Sequence, residues 1–222
     1  MKFLAINTAG SGVEAALYID GVTVFESDSE FRKASAVLLP FIDKLLSGAN
    51  LTLKELDFIA VVTGPGSFTG IRIGLSAARA FAQFTGVRLV PVTYAEVLAY
   101  NTTETNRAET IVTVSDAANG FAYIAAFDEK MRFVLPPEVL KTAQVKKFLD
   151  TVDESCAVCF DGAAEALVAD SGKTTVKPKT DCTALIRAAL YAFQARGAVP
   201  YAQVAPLYVR QSQAEINLAE SK

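Results

Sequence analysis

The sequence predicts an α/β protein built from two similar halves. Three observations carry this. The chain opens on three short apolar runs separated by tight-turn residues. Helical periodicity then alternates with further short apolar runs, and the same order begins again after a polar stretch near the middle of the chain.

Residues 2–7 read as the first strand, and Thr8-Ala9-Gly10-Ser11-Gly12 as a turn of small residues. Residues 13–19 and 22–27 are the second and third strands, joined by the hairpin signal Asp20-Gly21. Over 35–46, apolar residues fall at 38, 41, 42, 45 and 46, a helical spacing that Ser47-Gly48 ends. Pro40 removes one backbone donor there and is expected to kink the helix. Residues 58–63 run apolar without a break into Gly64-Pro65-Gly66, the pattern of a buried, parallel strand. A helix over 67–84 closes at Gly86. A short strand over 88–93 and a helical turn or two over 94–100 follow.

Residues 101–109 (NTTETNRAE) are the one polar stretch long enough to be a junction, dividing the chain into an N-terminal half, 1–103, and a C-terminal half, 104–222. After it the opening pattern returns: strands over 110–116, 121–127 and 131–135, with turns at 117–120 and 128–130. A helix over 142–150, a strand over 156–160 and a helix over 182–196 complete the half. Gly12 to Asp20 is the same interval as Gly120 to Asp128, and Asn7 and Asp116 fall at equivalent strand ends, so the pattern reads as an internal duplication. Two such halves facing each other predict a ligand cleft between them.

Composition excludes several classes of function. Apolar residues make up 51% and charged residues 20% of 222 residues, enough to bury a core without a disulfide or metal staple. The net charge of −3 and the lack of a long basic stripe argue against a stand-alone nucleic-acid binder. There is no histidine, which removes Ser-His-Asp triads, Cys-His dyads and histidine metal sites. Three cysteines are too few and odd in number for a secreted disulfide framework. The start turns polar at Asn7, too early for a signal peptide, and no apolar run approaches the ~18–20 residues of a membrane span. A cytoplasmic location and no membrane contact are expected.

The sharpest segment is Thr63-Gly64-Pro65-Gly66-Ser67-Phe68-Thr69-Gly70-Ile71-Arg72-Ile73-Gly74, between a strand and a helix. Gly64, Gly66, Ser67, Thr69 and Gly70 form a candidate nucleotide- or phosphate-facing turn, since small residues let amides and hydroxyls converge on a helix N-terminus. A tight turn whose glycines serve close packing is the alternative. No Lys-Ser/Thr pair follows, so it is not a Walker A loop, and the glycine spacing misses the dinucleotide fingerprint by one residue.

In the helix that follows, between 71 and 84, the polar residues Arg72, Ser76, Arg79 and Gln83 share roughly 60° of arc at ~100° per residue. The rest of its circumference is apolar or glycine, and the 35–46 helix is similarly apolar. Leu38, Phe41, Ile42, Leu45, Ile73, Gly74, Ala77, Ala78 and Phe81 are therefore candidates for a partner or dimer interface, with Gly74, Ala77 and Ala78 small enough for close helix approach. A thick monomeric core is the alternative. Asn7 lends no charge where a metal–phosphate site would want a second carboxylate beside Asp116, which otherwise reads as a strand-end turn cap. Cys156-Ala157-Val158-Cys159 lies on a predicted strand, where odd spacing sends the two thiols to opposite faces, so both read as buried and structural. Lys173, Lys177 and Lys179 flank Pro178 in what reads as a solvated loop.

The opening LAINTA, the LLPFIDKLL helix, the VVTGPGSFTGIRIGLSAARAFA block and the closing PLYVRQSQAE resemble the TsaB (YeaZ) family of tRNA threonylcarbamoyladenosine biosynthesis proteins. The resemblance covers nearly the whole chain; it is strongest over 58–84 and thin over 130–200. It implies the duplicated actin-like ATPase fold and a non-catalytic role in tRNA N6-threonylcarbamoyladenosine (t6A) formation. In that role the chain would dimerise through its two N-terminal helices, alone or with a TsaD-like catalytic subunit, alongside a TsaE-like ATPase. It implies no catalytic residue, no metal and no cofactor of its own. ATP or ADP at the joint with TsaD is left open, and tRNA contact is indirect. Three places depart from the family pattern. Asn7 replaces the usual Asp, Ala34 the usual His, and Asp116-Ala117-Ala118-Asn119-Gly120-Phe121-Ala122-Tyr123 lacks the usual Arg and Glu. An ATP-dependent phosphotransferase or ATPase using the cleft, or an actin-fold peptidase, are the rival readings.

Overall fold

The computed structural model describes residues 1–29, 34–102, 108–179 and 181–210. The first half opens with β1 (Lys2–Asn7), β2 (Val13–Ile19) and β3 (Val22–Asp28), an antiparallel meander. Helix α1 (Ala34–Gly48) leads to β4 (Phe58–Val62), α2 (Phe68–Thr85) to β5 (Arg88–Val92), and α3 (Tyr94–Ala99) follows. β4 and β5 add in parallel, giving the order β3-β2-β1-β4-β5.

The second half repeats this. β6 (Thr110–Asp116), β7 (Phe121–Asp128) and β8 (Phe133–Lys141) form the meander. Helix α4 (Thr142–Thr151) leads to β9 (Ala157–Phe160), and a 3-10 turn with the short helix α5 (Glu165–Val168) leads to β10 (Thr174–Val176). The sheet order β10-β9-β6-β7-β8 is that of the first half read from the other edge. Helix α6 (Thr183–Arg196) closes the fold.

The strands alternate between faces, and three cores result. Leu4, Ile6, Ile59, Val61 and Leu89 pack outward with Leu38, Ile42, Leu75 and Ala78 of α1 and α2. Val112, Val114, Val158 and Phe160 pack outward with Val145 and Leu149 of α4. The inner faces of both sheets share one core with α3 and α6: Phe3, Phe58 and Val90 from one sheet, Ile111, Phe127 and Cys159 from the other. The helices are exchanged in this middle layer. α3, from the first half, packs on β6, β7 and β9, while α6, from the second, packs on β5, β1 and β2. Tyr18, Phe3, Phe58 and Phe193 stack in a row, with centroids 4.9, 4.5 and 4.5 Å apart, fixing α6 to the first sheet.

Most elements fall where the sequence places them. α1 runs through Pro40 as one helix. β8 begins two residues later and ends six residues later than the predicted 131–135 strand. Met131 sits at φ +61° in the turn, and β8 then continues through Pro136 and Pro137 because an edge strand can dispense with their amides. The loop around Lys173 and Lys177 contains β10, too short and exposed to leave an apolar signal. Cys156 joins the outer core and Cys159 the middle one, the opposite-face arrangement that odd spacing predicts. The junction near 103/104 and the end of the PLYVRQSQAE segment lie outside the described residues.

Candidate functional site: the cleft between the halves

A cleft of about 410 Å³ opens between the two halves. Its first-half wall is the turn after β1 (Ala9, Gly10, Ser11) and the turn before α2 (Gly66, Ser67, Phe68). Its second-half wall is the end of β6 and the hairpin after it (Ser115–Asn119) with Tyr123. Tyr94 lies between them, Asp161 and Ala163 close the far side, and Arg210 enters from the end of the described chain.

The glycine-rich turn is held by its own backbone. The Gly64–Pro65 peptide is cis, Ser67 N donates to Ala9 O at 2.8 Å, and Ser67 Oγ caps α2 by accepting from Gly70 N at 3.2 Å. A Cβ on Gly66, at φ +155°, would meet Ala9 O at 2.2 Å. Of the five candidate residues, Gly66 and Ser67 line the cleft and Thr69 is exposed. Gly64 packs against Leu207 O, and Gly70 is buried with its carbonyl accepting from Thr8 Oγ1 at 2.7 Å. The amides of Ser67 and Gly70 are engaged within the turn, so close packing accounts for much of the motif.

The strand-end pair sits as the duplication requires, but the two residues behave differently. Asn7 is buried, donates from Nδ2 to Glu14 Oε2 at 2.7 Å and accepts from Ala9 N at 3.1 Å. Burial raises the Glu14 carboxyl, and the Asn7 hydrogen bond pulls it back down. Asp116 is exposed and lines the cleft. Asp161, which the sequence reading missed, caps the 3-10 turn by accepting from Ala164 N at 2.9 Å, and also accepts from Asp116 N at 3.3 Å. Burial pushes its carboxyl up to about 6, against those backbone donors. No group of three or more His, Cys, Asp or Glu able to hold a metal occurs among the described residues.

Tyr94 and Arg210 were also missed. Tyr94 follows Thr93, which forms a capping box with Glu96; that Thr-x-x-Glu pattern marks a strand-to-helix junction in the sequence and could have drawn attention to its neighbour. Arg210 is carried by a segment with little periodicity, so nothing local marks it. That segment is pinned to the first half by paired hydrogen bonds between Leu89 and Val199, by Leu207 N on Thr63 O, and by Tyr208 stacked 4.2 Å from Phe68. It then crosses, so that Arg210 Nη1 donates to Ala117 O and Ala118 O while the guanidinium lies 4.1 Å over Phe121.

The candidate interface residues divide into two sets. Leu38, Ile42, Leu45, Gly74 and Ala78 are buried in the chain's own outer core. Gly74 permits close approach to β1 rather than to another helix, since a Cβ there would stand 2.4 Å from Thr8 Oγ1. Phe41, Ile73, Ala77 and Phe81 are half-buried. At ~100° per residue, Ala80, Ile73, Phe84, Ala77 and Phe81 form one stripe along α2 between its buried and polar faces, and Phe84 is 85% exposed. On α1, Leu39 is 53% exposed.

A family model described as TsaD: tRNA N6-adenosine threonylcarbamoyltransferase matches residues 30–194. The tRNA threonylcarbamoyladenosine biosynthesis protein TsaB of Haemophilus influenzae is 29% identical over 133 residues, 60% of this chain and 56% of that protein. TsaB of Escherichia coli is 28% identical over 149 residues, 63% and 64% of the two chains, and TsaB of Bacillus subtilis 29% over 131 residues, 59% and 56%. The chain thus spans less than two thirds of the length of these curated relatives. The crystal structure of YeaZ from Pseudomonas aeruginosa superposes with a TM-score of 0.75 at 22% identity, covering 93% of this chain and all of that one. A second Pseudomonas aeruginosa structure, described as similar to peptidase YeaZ, gives 0.78 at 22% identity over 94% and 99%. The duplicated sheets, the exchanged helices and these likenesses are those of the actin-like fold, and the chain belongs to the TsaD (tRNA N6-adenosine threonylcarbamoyltransferase) family, with relatives that carry the name TsaB.

Proposed function

We propose that this chain is a non-catalytic, TsaB-type subunit in tRNA N6-threonylcarbamoyladenosine formation, dimerising through α1 and α2 and supporting a TsaD-like catalytic subunit. The observation that carries the reading is the apolar stripe of α2 beside α1, with Ile73, Ala77 and Phe81 half-buried and Ala80 and Phe84 exposed, on a member of this family. An apolar helix face of this kind is stabilised by a partner that removes it from water. The sequence supplies no histidine for a metal-assisted transfer. Asn7 stands where a carboxylate would serve phosphoryl chemistry, and its amide is engaged by Glu14.

The isolated chain should run as a dimer in size-exclusion chromatography with light scattering, and form a mixed complex when a TsaD-like subunit is added. The modified nucleoside, measured in digests of tRNA from a reconstituted reaction, should depend on the chain being present. A strictly monomeric chain that leaves TsaD and the modification unaffected would overturn the reading. The TsaE-like ATPase and any nucleotide at the joint belong to the same proposal, tested by adding each to the mixed complex.

A further inference from the structure

The cleft holds two opposite charges that do not pair. Asp116 and Arg210 both line it; burial raises the Tyr123 hydroxyl beside them, Arg210 draws it down and Asp116 adds to the rise. Arg210 donates from Nη1 to two backbone carbonyls, which leaves Nε and Nη2 without a protein acceptor among the described residues. The Asp116 carboxylate accepts no hydrogen bond and joins no ion pair among the described residues; only its backbone amide is engaged, by Asp161.

The lining they share also carries two open hydroxyls. The Tyr94 hydroxyl, on a residue 7% exposed, and the Ser115 hydroxyl, on a residue 5% exposed, have no hydrogen-bond partner among the described residues, yet both line the cleft. No side-chain nitrogen or oxygen sealed from solvent lacks a partner among the described residues, so both hydroxyls stay open to the cleft and are free to hydrogen-bond a polar ligand there. Gly10 makes room for one of them, because a Cβ there would stand 2.5 Å from the Tyr94 hydroxyl. The strap from Val199 to Tyr208 fixes Arg210 in place, with its stack and hydrogen bonds on the first half and the guanidinium on the second.

We propose that the cleft binds a small free α-amino acid, its ammonium on Asp116, its carboxylate on Arg210 and its polar side chain on the Tyr94 and Ser115 hydroxyls. A free cation or a free anion would each leave one of the two charges unanswered, whereas a zwitterion satisfies both with charge-assisted hydrogen bonds. A volume of about 410 Å³ admits such a ligand with water to spare.

The test is calorimetric titration of the full chain with each common L-amino acid in turn. For each one that binds, two matched analogues follow, the amine lacking the carboxylate and the hydroxy acid lacking the ammonium. For serine these are 2-aminoethanol and glycerate. At least one amino acid with a polar side chain should bind, and both of its analogues should bind about tenfold more weakly or worse. Asp116→Asn and Arg210→Gln should each weaken binding by a similar factor, and Tyr94→Phe, which keeps the ring, should weaken it several-fold. Circular dichroism melts of each variant establish that the fold is retained. The proposal is overturned if no amino acid binds, if either analogue binds as well as its parent, or if the folded Asp116→Asn and Arg210→Gln proteins bind as the parent does. Binding is read on the chain alone, so its failure is separate from failure of the partner-dependent role in tRNA modification.

Discussion

Arg196, in the last turn of α6, donates from Nη1 to Oε1 of the buried Glu96 in α3 at 2.7 Å. The two residues come from different halves of the chain, and their contact ties the exchanged helices together in the middle layer. Glu96 is 2% exposed, and its other oxygen accepts from Thr93 N at 2.7 Å and Thr93 Oγ1 at 3.0 Å. Arg196 Nη2 adds a bond to Pro91 O at 3.1 Å. One ion pair thus caps α3, holds the end of β5 and anchors α6. Arg196→Met should cost about 2 kcal/mol, because it strands a buried carboxylate; the value sits below that of a fully buried pair since the arginine is 42% exposed. Glu96→Gln keeps an acceptor for the cap and should cost less. Urea unfolding of the three proteins orders them, and equal stabilities would remove the pair from the account of the fold.

Gly74 is a packing residue of α2 over the end of β1. Glycine inside a helix normally gives way to alanine with a gain of up to ~1 kcal/mol. Here the new methyl would stand 2.4 Å from Thr8 Oγ1, on a β-branched side chain that is 1% exposed and hydrogen-bonded to Gly70 O. Overpacking of this kind costs about 1–3 kcal/mol and should outweigh the propensity gain. Gly74→Ala should lower the thermal midpoint, and adding Thr8→Ala should recover part of the loss by removing the obstructing oxygen. A Gly74→Ala protein more stable than its parent would contradict the geometry.

The duplication was legible because β1, β2 and β3 and their counterparts β6, β7 and β8 carry local signals: apolar runs, Asp20-Gly21, and the repeated Gly-to-Asp interval. The GPGSFTG turn was legible as a strand-to-helix junction for the same reason. What the sequence could not convey is non-local. Leu38, Gly74 and Ala78 look like residues for a partner until α1 is seen lying on β2 and α2 on β4 and β1, because composition along a helix does not say which apolar arc its own sheet covers. Asp161 and Arg210 reach the cleft through a parallel strand end and a crossing strap, neither of which leaves a periodic trace. The exchange of α3 and α6 is likewise a matter of chain path. Nothing in the apolar spacing of either helix distinguishes its own sheet from the facing one.

Asp161 makes stability depend on pH. Burial pushes its carboxyl up to about 6, while in the unfolded chain it ionises near ~3.9. Between those values the folded protein keeps a proton that the unfolded chain has released. Its contribution is therefore most favourable below ~4, declines as pH rises through about 6, and is lowest above that, a swing on the order of 2–3 kcal/mol. Asp161→Asn retains a side-chain oxygen for Ala164 N and has no such swing. The stability of the parent minus that of the variant should fall between about pH 4 and pH 7.5 in urea titrations. A difference that stays constant, or rises, would put the carboxylate in a wetter environment than the fold implies.

The three cysteines should be inert in the native protein. Cys156 and Cys159 are fully buried and Cys182 is 3% exposed. Burial raises all three thiols, that of Cys159 to about 12, so little thiolate exists at neutral pH. A chromogenic disulfide reagent should label none of them in native buffer and all three in guanidinium chloride. Rapid native labelling of Cys159 or Cys182 would show that the middle core opens far more readily than its packing suggests, and of Cys156 that the outer core does.

The α2 stripe separates a folding role from an association role. Phe84 is 85% exposed, so replacing it removes almost no contact within the chain, and Phe84→Glu should alter unfolding free energy by about 0.5 kcal/mol or less. Ala77 is half-buried in the same stripe, and Ala77→Glu places a charge where a partner would have to desolvate it, at several kcal/mol. If association uses this face, both proteins should melt near the parent temperature yet elute as monomers, with Ala77→Glu the more severe because it lies nearer the middle of the stripe. Their capture of a TsaD-like subunit, measured by co-elution, should fall in the same order. A Phe84→Glu or Ala77→Glu protein that is folded and still fully dimeric would move the interface elsewhere, to the exposed edge of β3, where Val22 and Val24 are 64% and 43% exposed and Phe25 is 40% exposed. Substituting Val24→Lys in the same assay distinguishes the two surfaces, because a charge on a free edge strand blocks edge pairing while leaving a helix–helix contact untouched.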